Sequence, residues 1–175
     1  MENYKKNLEL LTKNYVYSKE MEHDACGVGL IASTEGKKSR AIIEYGIEAL
    51  KAVWHRGAVD ADGKTGDGAG IHVEIPKDFF IEKIQVTGHD YDNSEICVGM
   101  IFLPRNDYSA QENCKTIVES ELTKNNFSIY GWRQVPVNPK VLGEKALQTM
   151  PEIIQVLFKS NDPNLLDKNL ERKIY

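Results

Sequence analysis

The chain has 175 residues, of which 41% are hydrophobic, with 22 Lys and Arg against 26 Asp and Glu. This length fits one domain with a single sizeable core. A net charge of −4 gives no basic surface for nucleic acid or an anionic membrane. No stretch reaches about 18 consecutive apolar residues, which excludes a transmembrane helix. Three cysteines are an odd number, so a complete disulfide framework is not expected and a reducing compartment fits better.

Residues 1–25 form a polar leader. The leucines between Leu8 and Leu11 are interrupted by Glu9. A secretory signal needs an uninterrupted apolar run of roughly 7–15 residues, so we do not interpret the leader as an export signal.

The later segments alternate between strand and helix patterns. Short apolar or alternating runs predict strands over 26–33, 71–76, 96–103, 127–135 and 153–158. The run at 26–33 and the run at 96–103 are expected to be buried, the latter on both faces. Helical spacing predicts helices over 39–54 and 141–149, and a further helix at the start of the tail after residue 160. A capping box at Ser109–Glu112 predicts the beginning of another helix. These elements predict a layered α/β or α+β domain.

The glycine-rich segment 55–70 resembles a phosphate-binding loop only at Gly63, Lys64 and Thr65. The full motif needs a glycine where Ala58 stands, and it must run from a strand into a helix. A calcium loop starting at Asp60 would place Lys64 at a ligand position and Thr65 at the turn glycine. We therefore predict neither nucleotide nor calcium binding here.

The histidines and cysteines are the residues that could carry metal or thiol chemistry. The four histidines are scattered and form no metal-ligand pair. Cys97 and Cys114 lie on apolar patterns, which predicts small core residues. Cys26 differs, because it joins the polar leader to an apolar run and precedes Gly27. If the bond after Ala25 is cut, Cys26 gains an α-amine with an unperturbed pKa of about 7.7–8.0, which can act as its own general base.

Several ordered motifs resemble the beginning of the glutamate synthase large-subunit family. They are DACGVG at 24–29, HRGA at 55–58, DGKTGDGAG at 62–70, GWRQVPV at 131–137 and VLGE at 141–144. The resemblance runs from Cys26 to the last residue.

The resemblance implies a class II glutamine amidotransferase domain of the N-terminal-nucleophile hydrolase fold. That fold is an α+β, four-layer αββα sandwich of two antiparallel sheets between helices. Residues 1–25 would be a propeptide-like leader, and 26–175 the N-terminal part of a domain that is incomplete at its C-terminus. Cys26 would attack the carboxamide of glutamine, and the ammonia would serve glutamate synthesis from 2-oxoglutarate. FMN and an iron–sulfur cluster are implied for the full-length enzyme, with no cofactor in this segment.

The implied site is only partly present. Cys26 matches the family nucleophile, and Arg56 matches an arginine that shapes the site; a purely structural role for Arg56 stays open. The oxyanion Asn-Gly pair and the residues that bind the glutamine carboxylate are expected beyond Tyr175, so the fragment is expected to be weakly active or inactive.

The expected partners are glutamine, the synthase domains, and a small electron-delivering subunit or ferredoxin, with no nucleic acid and no membrane. The expected compartment is the cytoplasm, or a plastid for a photosynthetic eukaryote. Two alternatives remain: another class II amidotransferase or amide hydrolase, and a non-catalytic regulatory module.

Overall fold

The computed structural model describes residues 13, 27–54, 57–165 and 167–174, and the statements below concern these residues. The chain divides into two compact units, Met1–Ala58 and Val59–Tyr175. The first unit contains helix α1 (Arg40–Ala52). The elements of the second unit, in chain order, are α2 (Lys77–Val86), β1 (Cys97–Leu103), α3 (Tyr108–Lys124), β2 (Phe127–Gln134), a 3-10 helix (Pro139–Val141), α4 (Glu144–Thr149), β3 (Glu152–Ser160) and α5 (Asp167–Ile174).

Helix α1 confirms the helix predicted over 39–54. It begins after the extended Ser39, and Arg40 Nε donates to Glu44 Oε1 at 3.1 Å one turn later. The predicted face stays half-buried as far as Leu50. Because the helix ends at Ala52, Trp54 lies outside it and is 76% exposed.

Two predicted strands are absent. Residues 27–33 and 71–76 have no regular secondary structure. Val28 and Leu30 are almost fully exposed, at 92% and 89%, so the buried strand predicted over 26–33 is wrong for its described part. A strand forms only where a neighbouring strand pairs with its backbone N–H and C=O groups, and the described residues provide no such ladder beside either run.

The second unit is built on a three-stranded antiparallel sheet in the order β1-β3-β2. Its three strands confirm the predictions over 96–103, 127–135 and 153–158. The central strand β3 is buried from Ile154 to Phe158. It pairs with both neighbours, with Cys97 opposite Phe158 and Phe127 opposite Ser160.

Helices cover both faces of this sheet. Successive residues of a strand point to opposite faces, so Leu157 and Val156 belong to different cores. Leu157 packs with a cluster that includes α2, namely Phe80, Ile84, Ile96 and Tyr130. Val156 packs in a second cluster on the opposite face. This cluster contains Cys97, Phe127 and Phe158 of the sheet, Val118 and Leu122 of α3, and Leu170 of α5. Helix α2 was not predicted from the sequence.

Two details of the predictions are corrected. Helix α3 is capped by Asp107, whose carboxylate accepts from Ala110 N at 2.9 Å, so the capping box at Ser109–Glu112 was placed too late. Strand β1 is an edge strand and is not buried on both faces. Met100 is 48% exposed and Phe102 is 64% exposed, and neither packs in the core cluster that includes α2.

The architecture is therefore α+β, with one antiparallel sheet between helices. The second sheet of the predicted four-layer sandwich is not among the described residues and stays a prediction.

Candidate functional site

The two residues predicted for catalysis, Cys26 and Arg56, both lie outside the described residues. Their roles as nucleophile and site-shaping residue therefore stay predictions. Gly27, which follows the predicted nucleophile, is described and exposed.

The two other cysteines are free. Cys97 is 5% exposed, and burial together with the nearby charge of Glu95 raises the pKa of its thiol to about 11. Its predicted role as a small core residue is confirmed, and at neutral pH it carries almost no thiolate. Cys114 is half-buried on α3 and belongs to neither core cluster, so its predicted place in the core is wrong.

The glycine-rich loop closes into a tight turn. Val59 and Gly66 form an antiparallel bridge. Within it, Asp60 N donates to Thr65 O at 2.7 Å and Gly63 N donates to Asp60 O at 2.9 Å. Gly63 has φ +68°, a left-handed conformation that glycine adopts without steric cost. The glycine here serves the geometry of the backbone.

Asp62 organises this turn. Its Oδ1 accepts from the backbone nitrogens of Lys64 at 2.9 Å and Thr65 at 2.7 Å. Its Oδ2 accepts from the Thr65 hydroxyl at 2.5 Å. These bonds, the Thr65 hydroxyl first, lower the pKa of Asp62 to about 2, so its carboxylate is charged at neutral pH.

Asp62 also joins the turn to the VLGE stretch, 82 residues further along the chain. Glu144 N, at the start of α4, donates to Asp62 Oδ2 at 3.1 Å. Lys145 Nζ forms an ion pair with Asp60 Oδ2 at 2.6 Å. We call these contacts, together with the bonds that Asp62 makes to Thr65, the Asp62 clamp. It brings together two of the five stretches on which the family resemblance rests.

Gly143 allows this close approach. It is buried, and a Cβ at this position would overlap Thr65 Oγ1 and Asp62 Oδ2 and lie 2.5 Å from Thr65 N. Any side chain here would force the loop away from α4. The residue is therefore required by packing against the clamp.

The clamp leaves Asp62 little scope for chemistry of its own. Both carboxylate oxygens already accept two hydrogen bonds each. The amide hydrogens of Lys64 and Thr65, which a phosphate-binding loop would present to its ligand, are taken by Asp62. The arrangement is structural, in agreement with the sequence argument against nucleotide binding.

A second cluster of perturbed groups surrounds Asp92. Its carboxylate accepts from the Tyr130 hydroxyl at 2.9 Å and forms an ion pair with Lys159. Lys159 first, and then Ser94, hold the pKa of Asp92 well below its usual range. Burial first, and then the hydrogen bond to Asp92 and its charge, raise the pKa of Tyr130. This cluster ties the segment before β1 to β2 and β3.

The sequence patterns predicted neither the contacts of the Asp62 clamp nor those of the Asp92 cluster. The Asp62-x-x-Thr65 spacing is a local signal for a side-chain-capped turn and could have been read. No pattern in the neighbouring sequence indicates that Asp62 contacts Glu144 or that Asp60 contacts Lys145.

The part of the chain that the structure describes holds no group of three His, Cys, Asp or Glu side chains able to bind a metal ion. Within the same residues, no helix has the length and apolar character needed to span a membrane.

Comparison with known proteins gives the family. Residues 26–175 match the sequence model of the class-II glutamine amidotransferases. The chain is 52% identical over 172 residues to the glutamate synthase [NADPH] large chain of Azospirillum brasilense, covering 98% of this chain and 11% of that protein. It is 38% identical over 167 residues to the ferredoxin-dependent glutamate synthase of Pyropia yezoensis, covering 95% of this chain and 10% of that protein.

A third relative is the glutamate synthase [NADH] of Saccharomyces cerevisiae, 35% identical over 93% of this chain and 8% of that protein. The chain thus spans about a tenth of the length of these relatives. Since the family match covers residues 26–175, well over half of the sequence, this chain belongs to the class-II glutamine amidotransferase family.

Proposed function

We propose that residues 26–175 belong to the amidotransferase domain of a glutamate synthase, with Cys26 as its nucleophile. The observation that carries the proposal is the family match, which begins at Cys26 itself. The relatives compared above are all glutamate synthases by name, which favours this activity over another class II amidotransferase.

The proposed reaction uses the terminal position of Cys26. Removal of residues 1–25 exposes its α-amine, which takes the thiol proton as general base. The thiolate then attacks the carboxamide carbon of glutamine, the C–N bond breaks, and the amine returns the proton to the departing ammonia. Water adds to the γ-glutamyl thioester, which releases glutamate and restores the thiol.

The proposal assigns Arg56 to shaping the site beside the nucleophile. Since its guanidinium is always charged and offers five donors, an Arg56→Lys variant keeps the charge but loses the planar fork. A rise in the KM for glutamine in this variant, with the fold retained, is the result expected for a residue that shapes the site.

The proposal extends to the rest of the enzyme. The domain is completed as a four-layer αββα sandwich, and its ammonia passes to a synthase domain that holds FMN and an iron–sulfur cluster. The electrons come from a pyridine nucleotide, through a small subunit in some forms, or from ferredoxin, as the relatives' names suggest by analogy. The proposed compartment is the cytoplasm, or the plastid in a photosynthetic eukaryote.

The test uses the full-length protein purified from cells. Intact-mass analysis is expected to show a chain that begins at Cys26. Cys26→Ala is expected to abolish glutamine-dependent synthesis and to preserve ammonia-dependent synthesis. Cys114→Ala, a change at a half-buried thiol, is the matched control and should keep both activities.

Three outcomes would contradict the proposal. A mature protein that begins at Met1 removes the terminal nucleophile. Loss of both activities in Cys26→Ala assigns this residue to folding, and full glutamine-dependent activity in Cys26→Ala leaves the segment as a non-catalytic module.

A further inference from the structure

The glycine-rich loop contains both Asp-Gly steps of the sequence, Asp62-Gly63 and Asp67-Gly68. At such a step the glycine nitrogen can attack Cγ of the aspartate, because glycine has no side chain to shield its backbone. A C–N bond forms, the Cγ–O bond breaks and water leaves, which closes a five-membered imide. Water then opens the imide: cleavage of the Cγ–N bond restores aspartate, and cleavage at the α-carbonyl gives isoaspartate. By sequence alone the two steps are chemically equivalent.

The folded loop engages both reacting groups of the step at Asp62. Gly63 N, the attacking atom, donates to Asp60 O at 2.9 Å, and the carboxylate of Asp62 accepts four hydrogen bonds. Closing the ring would require both groups to leave these bonds. The carboxyl group must also be protonated for water to leave, and the bonds that lower the pKa of Asp62 to about 2 keep it ionised.

The step at Asp67 differs at its attacking atom. It lies just after the Val59–Gly66 bridge, where residues 67–70 are exposed and have no regular secondary structure. Among the described residues, none accepts a hydrogen bond from Gly68 N. No described atom lies within 4 Å of the position of a Cβ on Gly68, so its backbone has room to turn towards Asp67. Asp67 itself takes part in an interaction, so the difference between the two steps lies in the glycine nitrogen.

We propose that Asp67 is a site of isoaspartate formation in the folded protein, and that the Asp62 clamp protects the equivalent step at Asp62. The reaction releases one water and takes one up, and it needs no oxidant, reductant or enzyme. Its product has one additional carbon in the backbone of the glycine-rich loop, at unchanged mass and charge. The proposal does not depend on the chemistry proposed for Cys26.

The experiment incubates the full-length protein at neutral pH and follows both steps over time by peptide mapping. Trypsin cleaves after Lys64, so the two steps fall on separate peptides, 57–64 and 65–77. Chromatography and mass spectrometry compare each peptide with a synthetic standard that contains isoaspartate. We expect isoaspartate to accumulate at least about tenfold faster at Asp67 than at Asp62, because each hydrogen bond to a charged group is worth about a factor of ten.

An unfolded reference separates the effect of the fold from that of the sequence. A synthetic peptide of residues 57–77 has neither the sheet nor α4 to hold the loop, so its two steps should react at rates within about threefold of each other. In the protein, Asp67→Glu keeps the charge and should abolish the product at this position, because ring closure would need a larger imide. Gly68→Ala should slow the reaction at least about threefold, since its methyl group shields the nitrogen and meets no described atom.

Two variants test the protection by the clamp. Gly143→Ala, whose Cβ would overlap Thr65 Oγ1, should raise the rate at Asp62 about tenfold and leave the rate at Asp67 within about twofold. Thr65→Val removes one hydrogen bond to Asp62 and should act in the same direction, and it replaces Gly143→Ala if circular dichroism shows that this variant does not fold. Three results would overturn the proposal: no isoaspartate at Asp67 in the folded protein, the same ratio of rates in the protein and the peptide, or no change at Asp62 in either variant. Each of them leaves the Cys26→Ala test untouched.

Discussion

Gly131 lies at the bulge in β2, and replacing it with alanine tests how tightly α2 is held to the sheet. The register of β2 against β3 shifts between Ile129 and Gly131. Gly131 has φ +146°, which side-chain-bearing residues rarely adopt. A Cβ here would lie 2.8 Å from Thr87 Cγ2 and 3.1 Å from Thr87 Cβ. Thr87 cannot move freely, because its hydroxyl hydrogen is shared between two acceptors, Ile84 O at 2.6 Å and Tyr130 O at 2.8 Å.

The expected loss of stability combines two effects. A residue forced into a disfavoured backbone region costs about 1–3 kcal/mol, and overpacking costs a further 1–3 kcal/mol or so. We expect Gly131→Ala to lower the free energy of unfolding by about 3 kcal/mol. For a chain of this length that corresponds to a fall in Tm of roughly 6–12 °C.

Thermal unfolding followed by circular dichroism measures the effect. Gly68→Ala is the matched control, because no atom lies within 4 Å of its Cβ position, and it should change stability by less than about 0.5 kcal/mol. Adding Thr87→Ser to Gly131→Ala removes the closest methyl group but keeps the hydroxyl, and should recover about 1 kcal/mol. The reasoning is refuted if Gly131→Ala melts like the wild type, or if Thr87→Ser restores nothing.

Three further predictions concern Gly143, Asp92 and Cys97. Gly143→Ala should release the glycine-rich loop, because its Cβ would overlap Thr65, and trypsin should then cleave this loop faster. Since the folded-state pKa of Asp92 lies below its unfolded value of about 3.8, its stabilisation is complete above that value and is lost as the pH falls below it. In the Asp92→Asn variant, the free energy of unfolding should therefore depend less on pH below about pH 4. Cys97 should resist alkylation at pH 7.5 in peptide mapping while Cys114 reacts, and equal rates would contradict its burial and its pKa of about 11.

The parts of the fold that could be predicted are those with a local cause. The apolar runs at 96–103 and 153–158 are long enough to need burial, and β1 and β3 form there. The helical spacing after residue 39 gives α1. In each case the pattern lies within one segment, so neighbouring residues suffice to predict it.

Other parts depend on partners that are distant in sequence. Residues 71–76 alternate like a strand, but no strand among the described residues pairs with them. Helix α2 escaped prediction because its apolar residues do not form one clean stripe: Phe80 and Ile84 are buried, while Phe79 and Val86 are exposed. The family resemblance supplied the candidate nucleophile Cys26, but neither it nor the local pattern could supply the contact of Asp62 with Glu144.

In the glycine-rich loop, the acceptors of the backbone amide hydrogens decide whether a short motif can bind an anion. A phosphate-binding loop works because its amide hydrogens point at the ligand. Here Asp62 directly precedes Gly63 and accepts from Lys64 N and Thr65 N itself. A phosphate would have to displace a carboxylate that stays charged down to about pH 2, and the like charges would repel. The aspartate therefore converts a sequence that resembles an anion site into a turn that satisfies its own amides, and its remaining acceptor position fixes α4 through Glu144 N.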